Sequence, residues 1–230
     1  MTDMVFDSSS LISLATNNLF DKLGELKSRF DGKFFITESV KKEILDNPIH
    51  SNKFKLEAIM MSELLQQNVL KLFANLDMEK KAMQLLEICN NIYSSNGNPL
   101  KILDKAEVES LVLAITLNAV YIVDERTMRL LVEDPKKLSL LLERKFDAQI
   151  KIDGKNLAAF KSEIRNVQIL RSAEIMVVAF ELGLFKQYET KYLANPRKEI
   201  LEGILWGLRL RGCAISTEEI ADVIRLEGFR

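Results

Sequence analysis

Acidic side chains stand at chemically useful positions in the chain. Asp7 directly follows the apolar run Met4–Phe6, and Asp124 directly follows the apolar run Val120–Val123. If these runs are parallel strands, both acids lie at the carboxyl edge of the sheet, where ligands of such sheets usually bind. Carboxylate oxygens at such an edge are suited to hold Mg2+ or Mn2+.

Two glutamates extend this acidic set. Glu43 lies about two turns into the helix expected after a second strand, and Glu107 lies in the first turn of the helix that leads into the strand before Asp124. Both can lean over the same edge. We therefore predict that Asp7, Glu43, Glu107 and Asp124 form one catalytic, metal-binding set.

Each acid also has a purely structural interpretation. Asp7 and Asp124 are good N-cap residues for the helices that follow them. Asp104 and Glu107 have the spacing of a capping box, and Glu43 can be an ordinary solvated glutamate. Convergence of the whole set on one edge favours chemistry, because capping does not require the acids to converge.

The sequence excludes most other kinds of metal site. The chain has only two cysteines, Cys89 and Cys213, no CxxC pair and a single histidine, His50. A zinc finger and a disulfide scaffold are therefore excluded, and both thiols are expected to be buried and free. Crowded carboxylates repel each other, and a divalent cation removes that repulsion.

The elements that must position these acids alternate along the chain. Short apolar runs at 4–6, 34–36, 69–73, 120–123 and 148–152 read as strands, with helical patterns between them. This alternation predicts a three-layer α/β/α domain with a central parallel sheet over residues 1–153. Residues 154–230 show helical periodicity without a convincing strand, and we expect a C-terminal helical domain there.

Bulk composition limits the possible partners. The 230 residues are 47% hydrophobic, enough for one core and a smaller second one, and the net charge is -1. The chain as a whole has no positive field for nucleic acid, so any such contact must be local. No apolar run reaches the ~20 residues of a membrane span, and the N-terminus lacks a signal-peptide pattern, so we expect a cytoplasmic protein.

Four segments carry a family resemblance. Val5–Ile12 resembles the opening strand and aspartate of PIN domains, with Ser9 as the hydroxyl that supports the acid. The segments Ile36–Ile44, Leu103–Ala114 and Val123–Arg129 resemble the second, third and fourth motifs of the family. The match covers about residues 1–153.

The sequence also departs from the family pattern. Ala106 stands where glycine is common, and Glu125, which we expect to support the site, stands where a second aspartate is frequent. Ile200–Gly212 is similar to the closing helix of some prokaryotic PIN proteins. The resemblance therefore implies a PIN-like nuclease with a helical C-terminal extension.

The resemblance implies a function as well. PIN domains of this type are divalent-metal-dependent hydrolases, and the implied activity is endoribonuclease cleavage of RNA with Mg2+ or Mn2+ held by the four acids. Phosphate contacts need local positive charge. Residues beside the acidic motifs that can supply it are Lys41, Lys42, Arg126 and Arg129, with Arg126 favoured because it adjoins Asp124.

Other functions stay open at this point. The chain can be a catalytically weak PIN-like protein that binds RNA or acts as a scaffold in a processing complex, or the toxin of a toxin-antitoxin pair. A protein partner or a homo-oligomer fits either alternative. In the third motif, Glu107 is predicted as the ligand rather than Glu109, which lies ~200° around the helix and is expected to point towards solvent or a neighbouring segment.

Overall fold

The computed structural model describes residues 2–229. The strands in this range are β1 Met4–Phe6, β2 Phe34–Thr37, β3 Leu70–Phe73, β4 Tyr93–Ser95, β5 Asn98–Pro99, β6 Val120–Ile122, β7 Ile150–Ile152 and β8 Ile169–Leu170. The α-helices are α1 Ser8–Thr16, α2 Phe20–Ser28, α3 Glu38–Lys41, α4 Lys55–Gln66, α5 Leu76–Asn90, α6 Lys105–Leu117, α7 Arg126–Glu133, α8 Pro135–Phe146, α9 Gly154–Glu163, α10 Ser172–Glu181, α11 Pro196–Leu210 and α12 Thr217–Leu226.

The central sheet has five parallel strands in the order β3-β2-β1-β6-β8. Strands β1 and β6 are neighbours, with Met4 paired to Val120 and Phe6 to Ile122, so the residues that follow them lie side by side at one edge. The three-layer α/β/α fold with a central parallel sheet is confirmed.

Two strand predictions need correction. The run at 148–152, expected in the main sheet, forms β7, which pairs antiparallel with β4 in a separate sheet of order β5-β4-β7. The fifth strand of the main sheet is β8, inside the segment expected to be wholly helical. A strand of two residues is too short to show the alternation of apolar and polar side chains by which a strand is identified in a sequence.

Alternation along the strands sends side chains into two cores. Phe6 and Ile122 join one hydrophobic cluster, while their neighbours Val5 and Tyr121 join the other, on the opposite face of the sheet. The first cluster is covered by α1, α2, α4 and the tail helices α10 to α12, and the second by α5 to α9. Helices therefore cover both faces of the sheet.

The tail packs against the first half of the chain. Leu14 and Phe20 share a buried cluster with Met176, Leu205 and Ile224, so the C-terminal helices complete the core on that face. The domain division at 153/154 stays a prediction. No helix within residues 2–229 is long and apolar enough to cross a membrane.

Candidate active site

Asp7 lies at the carboxyl end of β1 and caps α1. Its Oδ2 accepts the backbone N–H of Ser9 at 3.1 Å and the Ser9 hydroxyl at 2.6 Å. The side chain is 1% exposed, yet Oδ1 accepts no hydrogen bond from any residue in the described range 2–229. A buried carboxylate oxygen without a donor is costly, so this atom is suited to face a cation.

Electrostatics place other acids close to Asp7. Burial, followed by the charges of Glu43 and Asp104, raises the pKa of Asp7 to about 6, although its hydrogen bonds with Ser9 act in the opposite direction. Asp7 at the end of β1, Glu43 and Asp104 at the start of α6 thus share one region. Asp104 belongs to this region although the sequence marked it only as a cap.

Glu107 both caps α6 and belongs to the acidic region. Its Oε2 accepts the backbone N–H of Asp104 at 2.8 Å, while Asp104 Oδ1 accepts the N–H of Glu107 at 3.0 Å, which is the predicted capping box. Burial, and then the charges of Asp104, Asp7 and Glu125, raise the pKa of Glu107 to about 9. Glu107 therefore caps helix α6 and also lies among the acids of the site.

Glu43 lies on an irregular turn. Thr37 caps the short helix α3, and the chain then widens into a π-helical turn, Lys42–Asp46, that carries Glu43. Such turns are frequent at functional sites. Desolvation, and then the charges of Asp104 and Glu109, raise the pKa of this exposed glutamate, opposed by a hydrogen bond with Ser8.

The carboxylate of Asp124 forms hydrogen bonds that the sequence analysis did not predict. Its Oδ1 accepts the backbone N–H of Ser172 at 2.8 Å, and its Oδ2 accepts the Ser172 hydroxyl at 2.6 Å. Burial raises the pKa of Asp124, and hydrogen bonds from Ser172, Ser13 and Cys213 act against that rise. The structure thus joins this carboxylate to the start of α10.

Glu125 takes the capping role expected of Asp124. Its Oε2 accepts the backbone N–H of Met128 at 2.8 Å at the start of α7, so the prediction that Asp124 caps this helix is wrong. The charge of Glu125 also acts on Glu107. Glu125 is therefore an acid of the fourth motif whose charge reaches the site.

Ser9 connects the two strand ends. Besides donating to Asp7, its hydroxyl oxygen accepts the backbone N–H of Asp124 at 3.1 Å. The expected contact between Ser9 and the first acid is present, and one hydroxyl fixes the spacing of β1 and β6 at the site.

Glu109 is buried, which fits the expected alternative of a neighbouring segment rather than solvent. It is 2% exposed and forms an ion pair with Lys105 at 3.1 Å. Helix α5 packs against α6 on this side and covers it. Glu109 is therefore a buried, cation-paired acid on a different face from Glu107.

The predicted cationic residues fall into two pairs. Arg129 donates to the backbone oxygen of Ala214 at 2.7 Å and pairs with Glu133, and Lys41 pairs with Asp46 at 3.1 Å. Arg126 and Lys42 are exposed, and neither side chain forms an ion pair with a residue in 2–229. Only the second pair is available to an incoming phosphate in the structure.

The acids are not arranged as a ready-made metal site within residues 2–229. Among residues 2–229, no group of three histidine, cysteine, aspartate or glutamate side chains is already arranged around a common metal position. Glu107 is turned towards its capping partner, as repulsion between carboxylates favours. The donor set is nonetheless all oxygen, and the unpartnered Oδ1 of Asp7 fits a hard divalent ion.

Comparison with known families agrees with this geometry. A family model described as a PIN domain matches residues 3–134, more than half of the chain. The chain belongs to the PIN-domain family. PIN domains are in general nucleases and usually use divalent metals. No curated protein matches the chain.

Proposed function

We propose that this PIN-domain protein is an endoribonuclease that hydrolyses RNA with Mg2+ or Mn2+. The observation that carries the proposal is the buried Oδ1 of Asp7, which lacks a donor from residues 2–229 and lies within the electrostatic influence of other acids. Asp7, Glu43 and Glu107 are the proposed ligands. Glu125 is the proposed additional acid. Asp124 is proposed to hold the carboxyl edge of the sheet in place through its hydrogen bonds with Ser172.

The acids of the site supply the negative charge that would hold the ion, and their protonation sets the pH at which they can do so. An ion held by these acids would orient a water for in-line attack and stabilise charge on the phosphate. Asp7 is ionised above about pH 6, whereas Glu107 retains its proton up to about pH 9 and must release it to become a ligand. Cleavage is therefore expected to rise from acidic to mildly basic pH.

Substrate binding rests on exposed cations beside the acids. Arg126 follows Glu125 directly and is exposed, as is Lys42 beside Glu43. Phosphate contacts from such residues supply non-specific affinity for RNA. This arrangement supports a nucleic-acid substrate held by its phosphate backbone next to the acidic residues, and RNA is the class that we propose.

A second candidate is an RNA-binding scaffold without cleavage. One observation favours it, namely that Oε2 of Glu107 is occupied by the backbone of Asp104. If that capping box does not open, the acids cannot converge on an ion. The scaffold predicts RNA binding without metal-dependent hydrolysis.

The test is Mn2+-dependent cleavage of a labelled single-stranded RNA by matched variants. Asp7→Asn and Glu107→Gln remove a ligand charge at nearly constant volume, and each should lower the rate at least about 100-fold. Glu109→Gln on the same helix is the control and should change it less than about 3-fold, since Glu109 pairs with Lys105.

Calorimetric titration with Mn2+ gives a second readout. Asp7→Asn and Glu107→Gln should weaken Mn2+ binding, and Glu109→Gln should not. Equal losses in Glu107→Gln and Glu109→Gln would contradict the ligand assignment. RNA binding by the wild type without cleavage at any Mn2+ concentration would favour the scaffold.

A further inference from the structure

A shallow cleft lies directly beside the acidic region. Glu43 forms part of its wall, and the rest is mainly apolar, with Ile12, Pro48, Phe54 and Glu57 around it. The enclosed cavity is only about 50 Å3, too small to enclose a large ligand. A flat group can instead lie along the wall, with its neighbouring atoms still within reach of Glu43.

Phe54 is the most unusual residue of this wall. Its backbone is left-handed, with φ 62° and ψ 21°, which is rare and unfavourable for a bulky side chain. The side chain is 42% exposed rather than packed in the core. Residues with strained backbone of this kind cluster at active sites and ligand-binding positions.

Positive charge accompanies the exposed ring. The ammonium of Lys53 lies 4.7 Å from the ring centroid of Phe54, and Lys55 is exposed at the start of α4. The wall therefore combines an aromatic face with cations, next to carboxylates that can accept hydrogen bonds. Nucleic-acid proteins bind unpaired strands with this combination of stacking and backbone charge.

We propose that this cleft is a subsite for one unstacked nucleobase of single-stranded RNA. The base stacks on Phe54, its adjoining phosphate contacts Lys53, and the strand continues to Glu43 and the other acids. The inference rests on the proposed function and narrows its substrate to unpaired RNA. A base in a duplex is already stacked and paired, and cannot reach Phe54.

Binding in EDTA tests the subsite independently of cleavage. The probe is a fluorescein-labelled single-stranded RNA of about 10 nucleotides and mixed sequence, compared with the same RNA annealed to its complement. Phe54→Ala should weaken binding of the single strand about 5- to 100-fold and leave duplex binding unchanged. Phe54→Tyr keeps an aromatic ring and should restore single-strand binding to within about 2-fold.

Phe146 provides a matched control. It is 47% exposed, and Lys145 lies 5.7 Å from its ring centroid, so Phe146→Ala removes a similar aromatic and cation pair that does not line the cleft. It should not change RNA affinity. Circular dichroism melts establish that each variant is folded, and Phe54 lies outside the fully buried core, so Phe54→Ala should fold.

The outcomes separate the two proposals. Phe54-dependent binding without cleavage by the wild type supports the subsite and refutes the nuclease. Cleavage with equal RNA affinity in the wild type and Phe54→Ala refutes the subsite, leaves the nuclease intact and assigns the cleft to a protein partner. Equal losses for single strand and duplex, or no RNA binding by the wild type, also overturn the subsite.

Discussion

Two buried aspartates follow the neighbouring strands β1 and β6, and they differ in the hydrogen-bond donors that surround them. Asp7 and Asp124 are 1% and 0% exposed, so burial does not distinguish them. Ser172 donates to both oxygens of Asp124, whereas Oδ1 of Asp7 lacks a donor within the described part of the chain. A buried carboxylate with its donors satisfied stabilises the fold, and one with a bare oxygen is suited to bind a cation.

The largest expected effect is an opposite response to the same substitution. In metal-free buffer at about pH 8, Asp124→Asn should lower the free energy of unfolding by about 2–3 kcal/mol, because the single amide oxygen cannot accept both hydrogen bonds from Ser172. Asp7→Asn should leave it unchanged or raise it, because the buried charge it removes is poorly satisfied. Urea denaturation measures both values.

Equal destabilisation by both substitutions would contradict the comparison. It would show that the Ser9 hydrogen bonds outweigh the bare oxygen of Asp7 and that Asp7 is mainly a cap. Mn2+ should not rescue the loss in Asp124→Asn, since both oxygens of the wild-type carboxylate are engaged by Ser172.

The second prediction concerns pH. An unfolded aspartate titrates near pH 4, while Asp7 titrates at about pH 6 in the folded protein, so the native state binds more protons between these values. The stabilising contribution of protonated Asp7 is complete below about pH 4 and is lost as pH rises through about 6. The loss is about 2–3 kcal/mol.

The measurement is the difference in unfolding free energy between the wild type and Asp7→Asn in EDTA. This difference should decrease from about pH 4 to about pH 7 and then level off, because the amide introduced by the substitution does not titrate, while Glu107 titrates in both proteins. Mn2+ should stabilise the wild type more at about pH 8 than at about pH 5. If the difference in unfolding free energy did not change with pH, the electrostatic distinction between the two aspartates would be wrong.

The comparison also separates what the sequence can predict from what it cannot. The order of strands and helices and the positions of Asp7 and Asp124 after their strands follow from local apolar patterns. The donors to Asp124 do not, because Ser172 is 48 residues away and is brought there by the tail. The role of a strand-end acid thus depends on tertiary contacts that spacing does not show.

Two local features show what the sequence resolves and what it leaves open. Asn96 and Gly97 both have positive φ and form the turn between β4 and β5, as an Asn-Gly pair between two strands typically indicates. This hairpin was within reach of the sequence. The choice between solvent and a neighbouring segment for Glu109 was not, because helix periodicity shows which residues share a face but not which element covers that face.

The smallest expected effect concerns Ser9, the residue that joins the two aspartates. Its hydroxyl donates to Oδ2 of Asp7 at 2.6 Å and accepts the backbone N–H of Asp124 at 3.1 Å. Ser9→Ala removes both bonds but leaves the backbone N–H of residue 9, which still donates to Oδ2 of Asp7, so Asp7 can still cap α1. Unfolding free energy should therefore fall by only about 1 kcal/mol.

Ser9→Ala should affect activity more than this stability loss suggests. Without the hydroxyl, the carboxylate of Asp7 loses the contact that orients it, and a partner of this kind around a metal ligand contributes about 10- to 100-fold. We expect about a 10-fold lower Mn2+-dependent cleavage rate, with Ser9→Thr restoring most of it because the hydroxyl is retained. If Ser9→Ala lowers stability as much as Asp124→Asn and leaves cleavage unchanged, the hydroxyl serves the fold alone, and Asp7 is positioned by its backbone cap.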